Sequence, residues 1–179
     1  MEGAPEKPQG IIGLRAVGLV PVSLLTYLTI PIEQAFRRLV RVDSALADPS
    51  YAFNRGRRQY SAQLINQRLH STKLLDEERT LGVTARDLYI PELSFVFGLA
   101  DPDAGVAVIS LARLDPRFYG EPPNDQLFQE RAIKEALHEL GHTFGLSHCP
   151  DPLCVMHFSN TIHDTDIKQA RFCPHCGIP

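Results

Sequence analysis

The spacing of apolar residues in the first part of the chain predicts two kinds of element. The continuous, largely β-branched run over residues 11–20 is typical of a strand buried inside an α/β sheet. The apolar segment 22–39 predicts a helix, in which Pro31 marks a break or a restart at the first turn. A short strand is expected near residues 40–46.

A second helix is predicted after a polar connection. Residues 48–59 contain Pro, Asn and Gly and therefore predict a loop. In residues 61–75 the apolar side chains recur near helical spacing, and Ser61 is suited to cap the first turn. The chain therefore begins with strand, helix, strand and helix.

Three strand candidates follow, at residues 80–84, 94–100 and 105–111. The sequence DPDAG joins the last two, and its Asp, Pro and Gly residues favour a tight turn between antiparallel strands. We therefore expect a hairpin at this point.

A long helix is predicted to begin at Asn124 or Asp125 and to run to about Leu146. Its expected core side consists of Phe128, Ile133, Leu137, Leu140 and Phe144. The resulting order, β-α-β-α-β-β-β-α, predicts an α/β sandwich followed by an irregular tail.

Length and charge narrow the class of protein. The chain has 179 residues and a formal net charge of −3, which suits one globular domain and argues against a nucleic-acid or polybasic membrane surface. Residues 11–30 are long and apolar enough to span a membrane. Arg15, Pro21 and two glycines interrupt that run, and the preceding segment lacks the basic character of a signal peptide. We therefore interpret it as strand, turn and helix, and expect a cytoplasmic protein.

Candidate chemistry begins at the end of the long helix, in the sequence HELGHTFGLSH. His138 and His142 are four residues apart, so both project from one helix face and can share one metal ion. Glu139 can reach a metal-bound water without taking a coordination position, as a general base must. Gly145 permits the helix to turn back, so that His148 supplies a third nitrogen. Three protein ligands leave one position open, which is typical of catalytic zinc.

This pattern is more specific than its first half. A bare H-E-x-x-H arises by chance, on helices that merely carry two surface histidines. The added glycine and third histidine, followed by Met156, complete the metzincin signature. Met156 is expected to form an apolar floor below the metal and not to bind it. The alternative interpretation, that Met156 only fills space in the core, predicts nearly the same position.

All four cysteines lie near the C-terminus, with the spacing C-x4-C-x18-C-x2-C. This spacing favours a closed, structural Zn–S4 site next to His148. Two disulfides, a catalytic cysteine and a nucleic-acid-binding zinc ribbon are the alternatives. Thiols stay reduced in the expected compartment, which argues against disulfides. The clustering of all four thiols argues against a catalytic cysteine, and the charge balance argues against a nucleic-acid-binding ribbon. The predicted ligands are Cys149, Cys154, Cys173 and Cys176.

The segment from His138 to Cys176 resembles the archaemetzincins, a metzincin family. Their pattern joins the zinc motif directly to a cysteine, followed by C-x-M and a terminal C-x-x-C, and every element is present here. Upstream, DLYIPELSFVFG and VAVISLARL look like the family's strands before the active-site helix. The matching positions are His138, Glu139, His142, Gly145, His148, Cys149, Cys154, Met156, Cys173 and Cys176.

The resemblance implies an α/β (α+β) fold: a compact, twisted mixed sheet with a backing helix and an active-site helix. It implies one peptidase domain, which we divide into a lobe of residues 1–145 and a zinc-stapled C-terminal lobe of residues 146–179. It also implies two zinc ions, one catalytic on the three histidines and one structural on the four cysteines. The activity implied is peptidase or aminopeptidase cleavage.

The sequence thus predicts a zinc metallopeptidase in which Glu139 takes a proton from a zinc-activated water. We expect peptide or protein substrates, bound along the edge of residues 94–100, no nucleic-acid or membrane partner, and a monomer. Tyr89 and Tyr119 are candidates for stabilising an oxyanion, and the residues do not select between them. The alternative function is a zinc-stabilised peptide-binding module with little or no turnover, against which the intact Glu139 argues.

Overall fold

The computed structural model describes residues 10–177. The first part of the chain forms strand β1 (Ile11–Ala16), helix α1 (Val22–Phe36) and strand β2 (Leu39–Val42). Both strands are shorter than predicted. Helix α1 passes through Pro31 without a break, so the predicted interruption is wrong. Its buried residues lie on both sides of the proline, and their packing outweighs the roughly 3 kcal/mol that an interior proline costs.

The predicted loop at residues 48–59 contains strand β3 (Phe53–Asn54) and the start of β4 (Gln59–Ser61), which pair antiparallel. Helix α2 (Ala62–Thr72) then begins where predicted, because the Ser61 hydroxyl accepts a hydrogen bond from the backbone N–H of Leu64.

Five strands and two helices make up the remainder. The strands are β5 (Glu77–Thr84), β6 (Leu88–Ile90), β7 (Leu93–Val96), β8 (Gly98–Asp101) and β9 (Val106–Ser110), and the helices are α3 (Asp125–Thr143) and α4 (Ile162–Ile167). The single strand predicted at residues 94–100 is therefore two strands. The apolar spacing did not predict β6, which lies in the segment DLYIPELSFVFG that the resemblance assigns to strands. The hairpin is confirmed, since β8 and β9 pair antiparallel.

The strands form two mixed sheets. The larger has the order β2-β1-β5-β9-β8, in which only β8 is antiparallel to its neighbour, and the smaller has the order β3-β4-β6-β7. Strands β7 and β8 thus follow each other in the chain but lie at the edges of different sheets.

Two hydrophobic clusters cover the two faces of the larger sheet. One face packs against helices α1 and α3, and this cluster extends to Cys149, Cys154 and Met156 of the C-terminal segment. The other face packs against helix α2 and the smaller sheet. The division into lobes at residue 145 stays a prediction. One core cluster contains residues from both sides of this boundary.

The membrane-spanning interpretation of residues 11–30 finds no support. Within residues 10–177, no helix combines the length and apolar character that crossing a membrane requires. The segment instead forms a buried strand and the first part of an amphipathic helix.

Candidate metal centres

Helix α3 places the first two histidines and then ends abruptly. Its first turn is capped by the Asn124 side chain, which accepts a hydrogen bond from the N–H of Leu127. The helix ends at Thr143, three residues earlier than predicted, and Gly145 adopts a φ of +88°. Only glycine accepts this conformation without strain. The N–H of Gly145 bonds back to the His142 carbonyl, and the chain turns so that His148 comes beside the helix.

The structure brings the three histidines together. One ligand nitrogen from each of His138, His142 and His148 lies within 4.8 Å of the others. The Nε2 atoms of His138 and His142 are 3.1 Å apart, close to the about 3.3 Å that two zinc–nitrogen bonds at a tetrahedral angle require. The residues present therefore fit a zinc ion.

Hydrogen bonds to backbone carbonyls orient two of the imidazoles. His138 Nδ1 is 2.8 Å from the carbonyl oxygen of Val155, and His142 Nδ1 is 2.7 Å from that of Leu146. A carbonyl can only accept, so each Nδ1 carries the proton and each Nε2 keeps its lone pair for a metal.

The electrostatic environment keeps these histidines neutral. Burial lowers the pKa of His138 well below its usual value, and the positive charge of Lys168 adds to that effect. Burial also lowers the pKa of His142 and His148. Metal ligation requires neutral imidazole, so the site is prepared for it at neutral pH.

Glu139 lies in the same cleft and is 6% exposed. Its side chain packs against Gly98, the first residue of β8, so closely that a Cβ atom there would lie 2.5 Å from Glu139 Cγ. Burial raises the pKa of Glu139 to about 8 in the metal-free protein; the nearby carboxylate of Glu135 raises it further, and Lys168 opposes both.

Met156 is fully buried and packs against Gly141, which lies on α3 between the two helical histidines. Its neighbour Val155 supplies the carbonyl that orients His138. The segment around Met156 thus contacts the helix that carries the histidines and orients one of their rings.

The four cysteines form a second cluster. Their sulfur atoms lie within 4.8 Å of one another, and all four are free thiols, so the disulfide alternative is wrong for this structure. The sulfurs of Cys149 and Cys173 are 3.7 Å apart, and a tetrahedral Zn–S4 site requires about 3.8 Å. These residues therefore also fit a zinc ion.

A cleft of about 720 Å³ opens over the histidines. Strands β7 and β8 form one wall, and Phe158, Ser159 and Asn160 form part of the other. Phe158 is 43% exposed, and its ring centre lies 4.8 Å from that of His148.

Comparison with known proteins identifies the family of this chain. A sequence model of Peptidase family M54 matches residues 32–178. The chain is 46% identical over 169 residues to the archaemetzincin of Pyrococcus furiosus, covering 89% of this chain and 86% of the relative. The chain belongs to peptidase family M54.

Solved structures show the same fold. The crystal structure of the archaemetzincin of Methanopyrus kandleri matches with a TM-score of 0.84 and 37% identity, covering 97% of this chain and 94% of that one. A zinc-dependent peptidase from Methanocorpusculum labreanum matches with a TM-score of 0.81 and 32% identity, covering 92% and 97%. The predicted archaemetzincin fold is therefore confirmed, and M54 membership makes this chain a member of a metallopeptidase family.

Two candidates on this M54 chain lie outside the cleft. The hydroxyl of Tyr89 accepts a hydrogen bond from Asn54, and that of Tyr119 donates one to the carbonyl of Arg113. Neither residue lines the cleft, so this structure supports neither as an oxyanion donor.

Sequence reasoning also missed three residues next to the site. These are Gly98, Glu135 and Lys168. Glu135 lines the cleft one turn before Glu139, and Lys168 contacts Glu135 from below. The three-residue spacing between Glu135 and His138 could have placed Glu135 on the same helix face as the first histidine. No sequence pattern indicates the position of Lys168.

Proposed function

We propose that this chain is a zinc-dependent peptidase that hydrolyses peptide bonds, with Glu139 as the general base. The observation that carries the proposal is the placement of the Glu139 carboxyl in the same cleft as three histidines that fit a zinc ion. We assign His138, His142 and His148 as ligands of a catalytic zinc, and the four cysteines as ligands of a structural one.

A zinc ion bound by the histidines supplies Lewis acidity, which acidifies a water molecule and polarises a carbonyl group. Glu139 accepts the proton of the attacking water and returns it to the leaving amine. Its contact with Gly98 holds the carboxyl beside the histidines, and the surrounding side chains exclude bulk water from it. The hydrogen bonds to Val155 and Leu146 hold the ligand rings in place.

The cleft suits an extended peptide with apolar side chains near the scissile bond. Strand β8 forms the edge of the larger sheet and lines the cleft, so its free backbone groups can pair with a substrate strand. Among the described residues that line the cleft, there is no lysine or arginine, and most side chains are apolar. This lining favours an apolar peptide over an acidic one and offers no cation for a substrate carboxylate.

Replacing the general base tests the function directly. We expect Glu139→Gln to lower kcat by at least about 100-fold, because proton transfer by a positioned carboxylate contributes this much or more. The zinc content should stay at two per chain by elemental analysis. The matched control is Glu130→Gln, the same change at an exposed position of the same helix, which should leave kcat unchanged.

A mixed peptide library serves as the substrate, and the new termini show whether cleavage is of the aminopeptidase or the endopeptidase type. Cleavage by Glu139→Gln at a rate comparable to the wild type would overturn the mechanism. Binding of peptides without cleavage, together with one zinc per chain, would support the binding module instead. We further propose a monomeric, cytoplasmic protein with peptide or protein substrates, and size-exclusion chromatography with light scattering tests its oligomeric state.

A further inference from the structure

One face of helix α3 is charged and yet buried. Arg131, Lys134 and Glu135 share this face with His138. Counted from Arg131, the other three residues follow at three, four and seven positions, and these spacings place side chains on one side of a helix. Each of the three is at most 8% exposed. Helix α4 and Lys168, the residue after it, cover this face.

Two of these residues dock the C-terminal segment. Arg131 forms a double hydrogen bond with the carboxylate of Asp166, at 2.7 and 2.8 Å. Lys134 donates to the backbone carbonyls of Thr165 and Asp166, at 3.1 and 3.2 Å. These four hydrogen bonds attach α4 to α3 through residues other than Glu135, which adds one hydrogen bond from the Thr165 hydroxyl.

The third contact has a different character. Lys168 Nζ lies 3.0 Å from Glu135 Oε1, and the two side chains are 0% and 3% exposed. The same oxygen accepts a hydrogen bond from the Thr165 hydroxyl at 3.2 Å. Within residues 10–177, Glu135 is the only ionic partner of this ammonium group. Two charges are thus removed from water directly beneath the candidate active site.

Glu135 also borders the cleft, one turn before Glu139 on the same helix. Two carboxylates at this spacing repel each other, and either can approach the histidines. Without Lys168, Glu135 would be a buried negative charge that keeps only the hydrogen bond from the Thr165 hydroxyl, and it could turn into the cleft or push Glu139 aside. Lys168 prevents both by neutralising the charge of Glu135, which stays hydrogen-bonded to Thr165 of α4.

We propose that Lys168 is a positioning residue for the peptidase reaction: it sequesters Glu135, so that Glu139 is the only carboxylate directed at the three histidines. This inference rests on the proposed function, because it presumes that Glu139 is the base. The buried pair of Glu135 and Lys168 thus serves to select one carboxylate out of two, and not to attach the C-terminal segment.

The test uses full-length, zinc-loaded protein and compares three variants. Lys168→Met should lower kcat by about 100-fold, the size of effect that a small misplacement of reacting groups produces. The change in KM should stay within about threefold, since the substrate-binding strand is untouched. In the double variant Glu135→Gln with Lys168→Met, no buried carboxylate needs a partner, and most of the lost turnover should return.

The third variant, Arg131→Met, is the matched control. It breaks an ion pair on the same helix face and to the same segment without touching Glu135, so it should lower the melting temperature but leave kcat within about threefold. A loss of kcat equal to that of Lys168→Met would overturn the proposal, because attachment alone would then explain the effect. A double variant as slow as Lys168→Met would overturn it as well.

If Lys168→Met fails to fold, the double variant decides alone: near-wild-type turnover supports the proposal, and a large loss overturns it.

If Lys168→Met folds, its crystal structure is a readout independent of activity, in which Glu135 should have left its place against α4. An unmoved Glu135 would contradict the proposal. If Glu139→Gln cleaves as fast as the wild type, the proposed function fails, and this crystal structure still shows whether Lys168 restrains Glu135.

Discussion

Burial controls the proton affinity of Glu139. The carboxyl has little contact with water, and the neighbouring Glu135 disfavours a second negative charge. Both effects raise its pKa in the metal-free protein, whereas a divalent cation among the histidines favours the ionised form. The same residue is therefore a poor base without metal and a suitable one with it.

This raised pKa predicts how the stability of the metal-free site changes with pH. In the folded chain Glu139 keeps its proton up to about pH 8, whereas in the unfolded chain it ionises near 4.5. The folded state therefore binds more protons in this window, and the free energy of unfolding falls as the pH rises through it. The histidines, whose pKa values are lowered, act in the opposite direction, but only below about pH 6.5.

The measurement is urea unfolding at about pH 7 and about pH 8.5. It requires protein that has lost metal at the histidines but kept it at the cysteines, as checked by elemental analysis. Between these pH values the wild type should lose more stability than Glu139→Gln, which has no proton to release there. Equal losses in the two proteins would show that Glu139 is already ionised at neutral pH.

The positions of the candidate ligands were predictable because local spacing determines them. Four residues on a helix bring His138 and His142 onto one face, and Gly145 sets the turn that returns His148. Lys168 was not predictable, because it meets Glu135 through the docking of α4 across 33 residues of chain. No local pattern marks such a contact.

At the scale of elements, the predicted boundaries failed where strands are short or change sheets. Residues 94–100 look like one strand, but the chain leaves the smaller sheet after Val96 and enters the larger one at Gly98. The hairpin of β3 and β4 has strands of two and three residues, too short for an alternating pattern to show. Strand β9 lies within one residue of its predicted bounds, and helix α3 begins where predicted. The predicted core side of α3 was only partly right. Leu137 and Leu140 are buried, whereas Phe128, Ile133 and Phe144 are only partly buried.

The crossing of β8 and α3 yields a prediction about Gly98. A methyl group on this residue would overlap Glu139, so the carboxyl must shift in Gly98→Ala. We expect kcat to fall by about 10- to 100-fold with the zinc content unchanged, because the base and not the ligands is displaced. The control is Gly56→Ala, where the nearest neighbouring atom would lie 3.4 Å away and no loss is expected. Unchanged turnover in Gly98→Ala would mean that Glu139 does not act from its present position.

At the scale of the whole molecule, the C-terminal segment supports the candidate active site in several ways. It supplies His148 as a candidate ligand, the carbonyl of Val155 as a ring acceptor and Met156 as an apolar support. Apart from α4 and a single 3-10 turn at Pro174–Cys176, it is irregular and has few apolar residues of its own. A zinc ion on the four cysteines therefore fits a need for cross-linking that the hydrophobic core alone does not meet.

Because the candidate active site depends on the C-terminal segment, we expect loss of the cysteine cluster to disrupt the histidine site as well. In Cys173→Ser we expect the segment after Gly145 to unfold, because the free energy of metal binding at a structural site is free energy of folding. Solubility should fall, and turnover should be lost together with the zinc at the histidines, since His148 and Val155 depend on the same segment. Elemental analysis, limited proteolysis and hydrogen exchange of residues 146–177 measure these effects. The control is His175→Ser, two residues away and exposed between the last two cysteines, which should keep both metals and full turnover. A Cys173→Ser protein that stays folded and active with one zinc would show that the hydrophobic contacts of Met156 and its neighbours suffice to hold the segment in place.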